Sequence, residues 1–162
     1  MKTHDFIAIY GGVYEHSPWV AEQSAQVAAG VEDVYRLAEL MADCVDNAGE
    51  EQQLTLIRAH PDLAGKAQIA GELTVESTAE QVSAGLDQCN RVEYERFQAL
   101  NDAYKEKFGF PFVMAVRGSS RDDILDAFTE RLQNDYELEF ETALAEIHKI
   151  ARLRLEAIGA GG

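Results

Sequence analysis

Four histidines, His4, His16, His60 and His148, are the side chains whose ordinary titration lies near neutral pH. Only His60 stands where its neighbours would tune it. In Ala59-His60-Pro61-Asp62, the proline pushes the residue before it out of the α region, so His60 is expected to close a helix. The field at a helix C-terminus favours the imidazolium form and poises the ring for proton transfer. The plainer reading is that His60 only caps its helix. His16 reads as a helix-entry residue beside Trp19, itself a core plug, and His148 as a structural residue inside the last helix.

Three further features could serve a ligand. Ser77-Thr78-Ala79-Glu80 has the Ser-x-x-Glu spacing of a capping box. That role is structural, but a helix N-terminus also offers N–H groups to an anion, and Glu80 could orient a histidine. Arg117 follows an apolar stretch and precedes Gly118. It either snorkels or grips a carboxylate with its guanidinium fork. The backbone of Phe112, Val113, Met114, Ala115 and Val116 could read a cyclic ureide or imide edge with its own N–H and C=O groups. No pair of histidines has metal-ligand spacing, and no phosphate cradle or nucleophile elbow is present. Cys44 and Cys89 read as two buried free thiols of a reducing cytosol.

Helices must position these groups. Ser17-Pro18 reads as N-cap and first helical residue, opening a helix that stops at Gly30. A second covers Val31 to Asp46, with Val34, Leu37, Leu40, Met41 and Cys44 on one face. A third spans Gly49 to Ala59, with Leu54, Leu56 and Ile57 turned inward. Pro61 to Glu76 is loop-like, with a short helical turn between Asp62 and Ala70. From Ser77 one long helix is expected to run to Phe108, with Phe97, Leu100, Tyr104 and Phe108 inward and Gly109 as its terminator. Phe110 to Val116 reads as a buried extended segment. A helix opens at Ser119 or Ser120 with Ile124, Leu125, Phe128 and Leu132 inward, and Asn134 or Asp135 ends it. The last helix reaches Ile158 with Phe140, Leu144, Ile147 and Ile150 inward. The class is all-α, a bundle of about six to eight helices with a loop-rich middle and a cleft. It is read as one domain over residues 1–158 with a frayed tail over 159–162.

Composition limits the partners. The 162 residues hold 14 Lys+Arg against 29 Asp+Glu, a net charge of −15. Phosphate backbones and anionic membranes are therefore poor partners, and the 46% apolar share excludes disorder. No apolar run is long enough for a membrane span, and no signal peptide is evident, so a cytoplasmic location is expected. Acidic residues crowd one stretch: Arg121 to Glu141 carries eight carboxylates and two arginines. The apolar C-terminal helices could pair two copies into a homodimer.

Taken in order, the motifs resemble the 2-oxo-4-hydroxy-4-carboxy-5-ureidoimidazoline (OHCU) decarboxylases, the last enzymes on the route from urate to (S)-allantoin. Matching stretches are Tyr14-Glu-His-Ser-Pro-Trp-Val20, Leu56-Ile-Arg-Ala-His-Pro-Asp-Leu-Ala64, Ser77-x-x-Glu-Gln81, Ala84-Gly-Leu86, Leu100-Asn-x-x-Tyr104 and Lys107-Phe-Gly-Phe-Pro-Phe-Val113. Arg131-Leu-Gln-Asn-Asp135, Glu139, Ala143-Leu144 and Lys149-Ile-Ala-Arg-Leu-Arg-Leu155 extend the likeness toward Ile158. The resemblance implies an all-helical fold, no cofactor and no metal, and an anionic ureidoimidazoline substrate. It implies that His60 is the catalytic acid/base and Glu80 its partner. Pro61, Ser77, Thr78, Ala79, Glu80, Gln81, Phe112 to Val116 and Arg117 would line the substrate. One departure is Ala28-Ala-Gly-Val31, where the family often has Arg-Pro-Phe.

Two rival readings exist. A histidine phosphotransfer module is also an acidic helical bundle, and His60-Pro-Asp-Leu-Ala-Gly-Lys66 superficially resembles its active neighbourhood. Its histidine lies mid-helix, however, and Pro61 breaks a helix there. A non-catalytic helical interaction protein would have the His60/Glu80 cleft filled by side chains.

Overall fold

The computed structural model describes residues 2–28, 30–65 and 72–161. Among them the regular elements are helices, with no β-strand. Eight α-helices follow in order: α1 Thr3–Tyr10, α2 Trp19–Ala28, α3 Val34–Asp46, α4 Glu50–Arg58, α5 Val75–Ser83, α6 Arg91–Phe108, α7 Arg121–Arg131 and α8 Tyr136–Gly161. A short 3-10 turn, Leu86–Gln88, stands between α5 and α6. No described helix is long and apolar enough to cross a membrane.

The chain forms two compact units, Met1–Ala59 with Leu144–Gly162, and His60–Ala143. In the first, α2 packs on α1 and α3. Its buried face is Val20, Ala21, Ser24, Ala25 and Ala28, side chains small enough for helix axes to approach closely. Helix α1 carries no side-chain cap, and nothing in its sequence announced it. At α2 the Ser17 hydroxyl does not cap. It donates to the Glu15 carbonyl at 2.9 Å, within a turn that holds His16 at φ 46°. Helix α3 begins at Val34 rather than Val31, because Gly30 turns the chain at φ 82° and Asp33 Oδ1 accepts the Tyr35 N–H at 2.9 Å. Its buried face is Leu37, Met41 and Val45; Val34, Leu40 and Cys44 are half-buried. In α4, Leu56 and Ile57 are buried and Leu54 is half-buried.

Polar contacts fix the Tyr14–Ser17 turn to the C-terminal part of α8. The Tyr14 hydroxyl lies 2.7 Å from His148 Nδ1, and His148 Nε2 lies 3.0 Å from Asp46 Oδ1. A carboxylate beside Nε2 assigns the ring proton to that nitrogen and leaves Nδ1 to accept from Tyr14. Burial, reinforced by Asp46, pushes the Tyr14 phenol far above its usual range. Arg154 donates to Glu15 Oε2 at 2.8 Å and to the Gly12 carbonyl at 3.1 Å. His148 is thus structural, as its sequence position suggested.

The second unit is built on the stripe Phe97, Asn101, Tyr104 and Phe108 of α6. Asn101 replaces the expected Leu100, which is half-buried. The predicted long helix from Ser77 is in fact two. Thr74, not Ser77, caps the first: its Oγ1 accepts the Ser77 N–H at 3.1 Å. Gly85, at φ 75°, ends that run, and its carbonyl accepts from Arg121 Nη1 at 2.9 Å. Asn90 and Glu93 then form the true capping box of α6. Gly109 ends α6 at φ 77° as expected, a conformation glycine adopts without Cβ strain.

Phe110 to Val116 is irregular and largely buried, with Met114 and Ala115 half-buried. Ser120 caps α7 in a box with Asp123, and Ile124, Leu125 and Phe128 face inward; Leu132 is the C-cap and half-buried. Helix α8 extends through Gly161, and its buried side chains include Glu139, Ala143, Ile147 and Ile150, with Phe140 and Leu144 half-buried.

Candidate functional site

His60 opens the second unit, directly after the C-cap residue Ala59. Its position beyond the helix end follows from Pro61, and its side chain is buried, 8% exposed. His60 is thus not the exposed mid-helix histidine that phosphotransfer requires.

The loop after His60 is held by side-chain amides. Gln81 of α5 works with both ends: Oε1 accepts the Ala64 N–H at 3.0 Å, and Nε2 donates to the Asp62 carbonyl at 3.2 Å. From α6, Asn101 Nδ2 donates to the Leu63 carbonyl at 3.0 Å and Gln98 Nε2 to the Ala64 carbonyl at 2.8 Å. Lys105 Nζ meets Asp62 Oδ2 at 2.7 Å. Ala64 sits at φ 52°, a conformation unusual for a residue with a Cβ, and these bonds retain it. The expected turn between Asp62 and Ala70 begins here; residues 66–71 lie outside the described residues.

Helix α5 carries Glu80, the acidic residue singled out in the sequence. Ser77 and Gln81, one turn apart, are buried and Glu80 is half-buried, so the three share one side. Thr78 and Ala79 lie on the exposed flank, and the Thr78 hydroxyl donates to the Thr74 carbonyl at 2.9 Å. Because Thr74 takes the Ser77 N–H, that N–H is not the anion donor the sequence suggested. Pro61 is half-buried.

The third part is the extended segment. Phe112, Val113 and Val116 are buried, and Arg117 is exposed at the following turn, where Gly118 stands at φ 82°. Among the described residues Arg117 forms no ion pair, so its fork remains available to an anion. A groove of about 520 Å³ elsewhere in this unit is lined by Ala64, Leu86, Asp87, Cys89, Asn90, Arg91 and Tyr94. It shares only Ala64 with the loop above. Cys44 and Cys89 are free but half-buried rather than buried. Burial raises both thiols above their usual range, which disfavours thiolate chemistry.

Sequence reasoning gave no role to Gln98, Asn101, Arg131 or Glu139. For the first two a signal existed: amides at positions 98 and 101 on a helix whose inward stripe is otherwise aromatic.

Comparison with known proteins identifies the family. The model of the OHCU decarboxylase family matches residues 1–156. A 2-oxo-4-hydroxy-4-carboxy-5-ureidoimidazoline decarboxylase of Haloferax volcanii is 47% identical over 155 residues, 96% of this chain and 89% of the relative. The crystal structure of an (S)-allantoin synthase superposes with TM-score 0.77 at 34% identity, covering 98% of this chain; the chain spans about half, 51%, of that protein. A crystal structure of OHCU decarboxylase in the presence of (S)-allantoin shares the fold, with TM-score 0.75 at 24% identity over 94% of this chain and 98% of the other. An all-helical chain matched along nearly its whole length, with the His60-Pro61 motif in a clamped loop, belongs to the OHCU decarboxylase family.

Proposed function

We propose that the protein is a cofactor-independent decarboxylase that converts OHCU to (S)-allantoin and CO2 in urate degradation. One observation carries the reading: in a chain of this family, His60 is a buried histidine on a loop whose backbone is pinned by Gln81, Gln98 and Asn101. A buried imidazole beside a pinned backbone suits general acid–base catalysis, which needs its proton-transfer group held in place.

The substrate supplies its own electron sink. Its carboxylated carbon carries a hydroxyl and neighbours a ring C=N. When the carbon–carboxylate bond breaks and CO2 leaves, the electron pair moves into the C=N, whose nitrogen takes a proton. The resulting enol becomes allantoin by losing the hydroxyl proton and gaining one at the carbon that bears the ureido group. The protein has only to bind, orient and move protons.

In this mechanism His60 exchanges a proton with the hydroxyl or the developing enol. Glu80 orients the imidazole or binds the ureido N–H groups. Pro61, Ser77, Gln81 and the Phe112–Val116 backbone wall the substrate, with Thr78 and Ala79 at its margin and Arg117 receiving its carboxylate. Protonation from one face makes a single enantiomer. We further take the enzyme as a cytoplasmic homodimer. The free Cys44 and Cys89 support a reducing compartment, and the exposed Tyr136 and Leu138 support pairing of α8; light scattering tests the latter.

The decisive experiment generates OHCU from urate with the two upstream enzymes, adds this protein and follows the product by circular dichroism. Rapid formation of (S)-allantoin is expected. Slow racemic product, identical to the control without protein, overturns the reading.

A further inference from the structure

Arg131 and Glu139 carry part of the resemblance yet have no place in the chemistry above. They meet in one buried cluster of the second unit. Glu139 is fully buried, and a carboxylate there needs its oxygens satisfied. Oε1 accepts from the Tyr104 hydroxyl at 2.6 Å and from Arg131 Nε at 2.8 Å, and Oε2 accepts from Asn134 Nδ2 at 3.0 Å. Burial and the Glu139 bond push the Tyr104 phenol well above its usual range, so it remains a donor.

Held in this way, Arg131 reaches the extended segment twice. Its Nη1 donates to the Val113 carbonyl at 2.7 Å. Its guanidinium carbon lies 4.3 Å from the centre of the Phe112 ring, on which Phe128 stacks at 3.9 Å and 10°. Two groups so near one ring centre take opposite faces, which leaves Phe112 between a cation and a phenyl ring.

Planarity carries this further. The Val113–Met114 peptide is trans, so its C=O and N–H point in opposite directions. Fixing the Val113 carbonyl on Arg131 turns the Met114 N–H away from Arg131. Met114 is half-buried, unlike Phe112 and Val113, so the freed edge belongs to the less enclosed part of the segment.

We propose that Arg131, oriented by Glu139, is a positioning residue for the substrate wall, fixing the Val113–Met114 peptide so that the Met114 N–H meets a carbonyl of the ligand. The assignment rests on the decarboxylase reading, and its test separates the two.

Arg131→Lys keeps a cation beside Glu139 but lacks the fork that reaches Glu139 and Val113 together. Its KM for OHCU rises about tenfold, the weight of one good hydrogen bond, while kcat stays within about threefold because His60 and Glu80 are unchanged. A merely structural role would lower the melting temperature and the amount of active enzyme and leave KM alone. An unchanged KM in the folded variant overturns the proposal while wild-type turnover upholds the decarboxylase. Should the variant not fold, wild-type protein decides. In ¹⁵N-labelled enzyme titrated with (S)-allantoin, the Met114 amide resonance shifts with saturation; an amide unmoved at saturation overturns the proposal. Wild-type protein that forms no (S)-allantoin overturns both.

Discussion

Gln81 Oε1 accepts the Ala64 N–H at 3.0 Å, and this bond holds a non-glycine residue at φ 52° in the loop that follows His60. The other end of the same amide is spent on the Asp62 carbonyl. Both ends of the Gln81 amide thus grip the backbone of the loop just after His60.

Gln81→Ala removes both bonds and exposes buried backbone groups to poor partners. A stability loss of roughly 1–3 kcal/mol is expected, with kcat reduced at least tenfold as the loop relaxes. Thermal melts beside single-turnover rates check it. Undiminished kcat would show that the loop keeps its course without the clamp.

His60→Asn should lower turnover by about 10²–10⁴-fold, the usual contribution of general acid–base catalysis. The melting temperature should hold, since the α4 terminus is set by Pro61 rather than by the imidazole. Near-normal turnover on freshly generated OHCU would remove His60 from the mechanism.

Thr74→Ala and Glu80→Gln separate capping from chemistry. Thr74 is the N-cap of α5, so its loss costs about 1 kcal/mol. Glu80 lies beyond the first turn and takes no part in the cap, so Glu80→Gln keeps the melting temperature and loses rate. Full activity in that variant would leave Glu80 without a catalytic part.

Arg117→Lys should raise KM several-fold, about threefold to tenfold, because an ammonium lacks the bidentate fork. An unchanged KM would make Arg117 a solvated surface residue.

Acid should weaken both capping boxes. Backbone N–H groups of Asn90 and Ser120 hold the Glu93 and Asp123 carboxyls below their ordinary values of 4.5 and 3.8. Each depressed group contributes stability above its unfolded pKa, and that contribution is lost as pH falls through the folded one. The melting temperature should therefore decline as pH drops from about 4.5 downward, and less steeply in Glu93→Gln. Equal slopes in wild type and variant would contradict this.

The legible parts of the sequence were those with a local cause. Pro61 ended α4, Gly109 ended α6, Ser120 opened α7, and the proline-bearing 110–116 stretch stayed outside the helices. Failures came where two local signals competed. Ser77-x-x-Glu80 imitates a capping box, but Thr74 caps three residues earlier, and Gly85 breaks what aromatic periodicity alone had joined. Helix α1 has no cap signature at all. Within the site, His60 stood out by its neighbours. Glu139, Tyr104 and Arg131 did not, since a buried network joins residues whose proximity no helical spacing announces.

The division of the chain also sets an order of assembly. The unit carrying the site is a single unbroken stretch, His60–Ala143, and every contact named for it is available once that stretch has been synthesised. The other unit is discontinuous: Tyr14 awaits His148, and Glu15 awaits Arg154. Emerging from the ribosome N-terminus first, the chain can therefore complete the clamp around its histidine loop before its own beginning has found its partners. The turn between the first two helices is among the last parts of the chain to be secured.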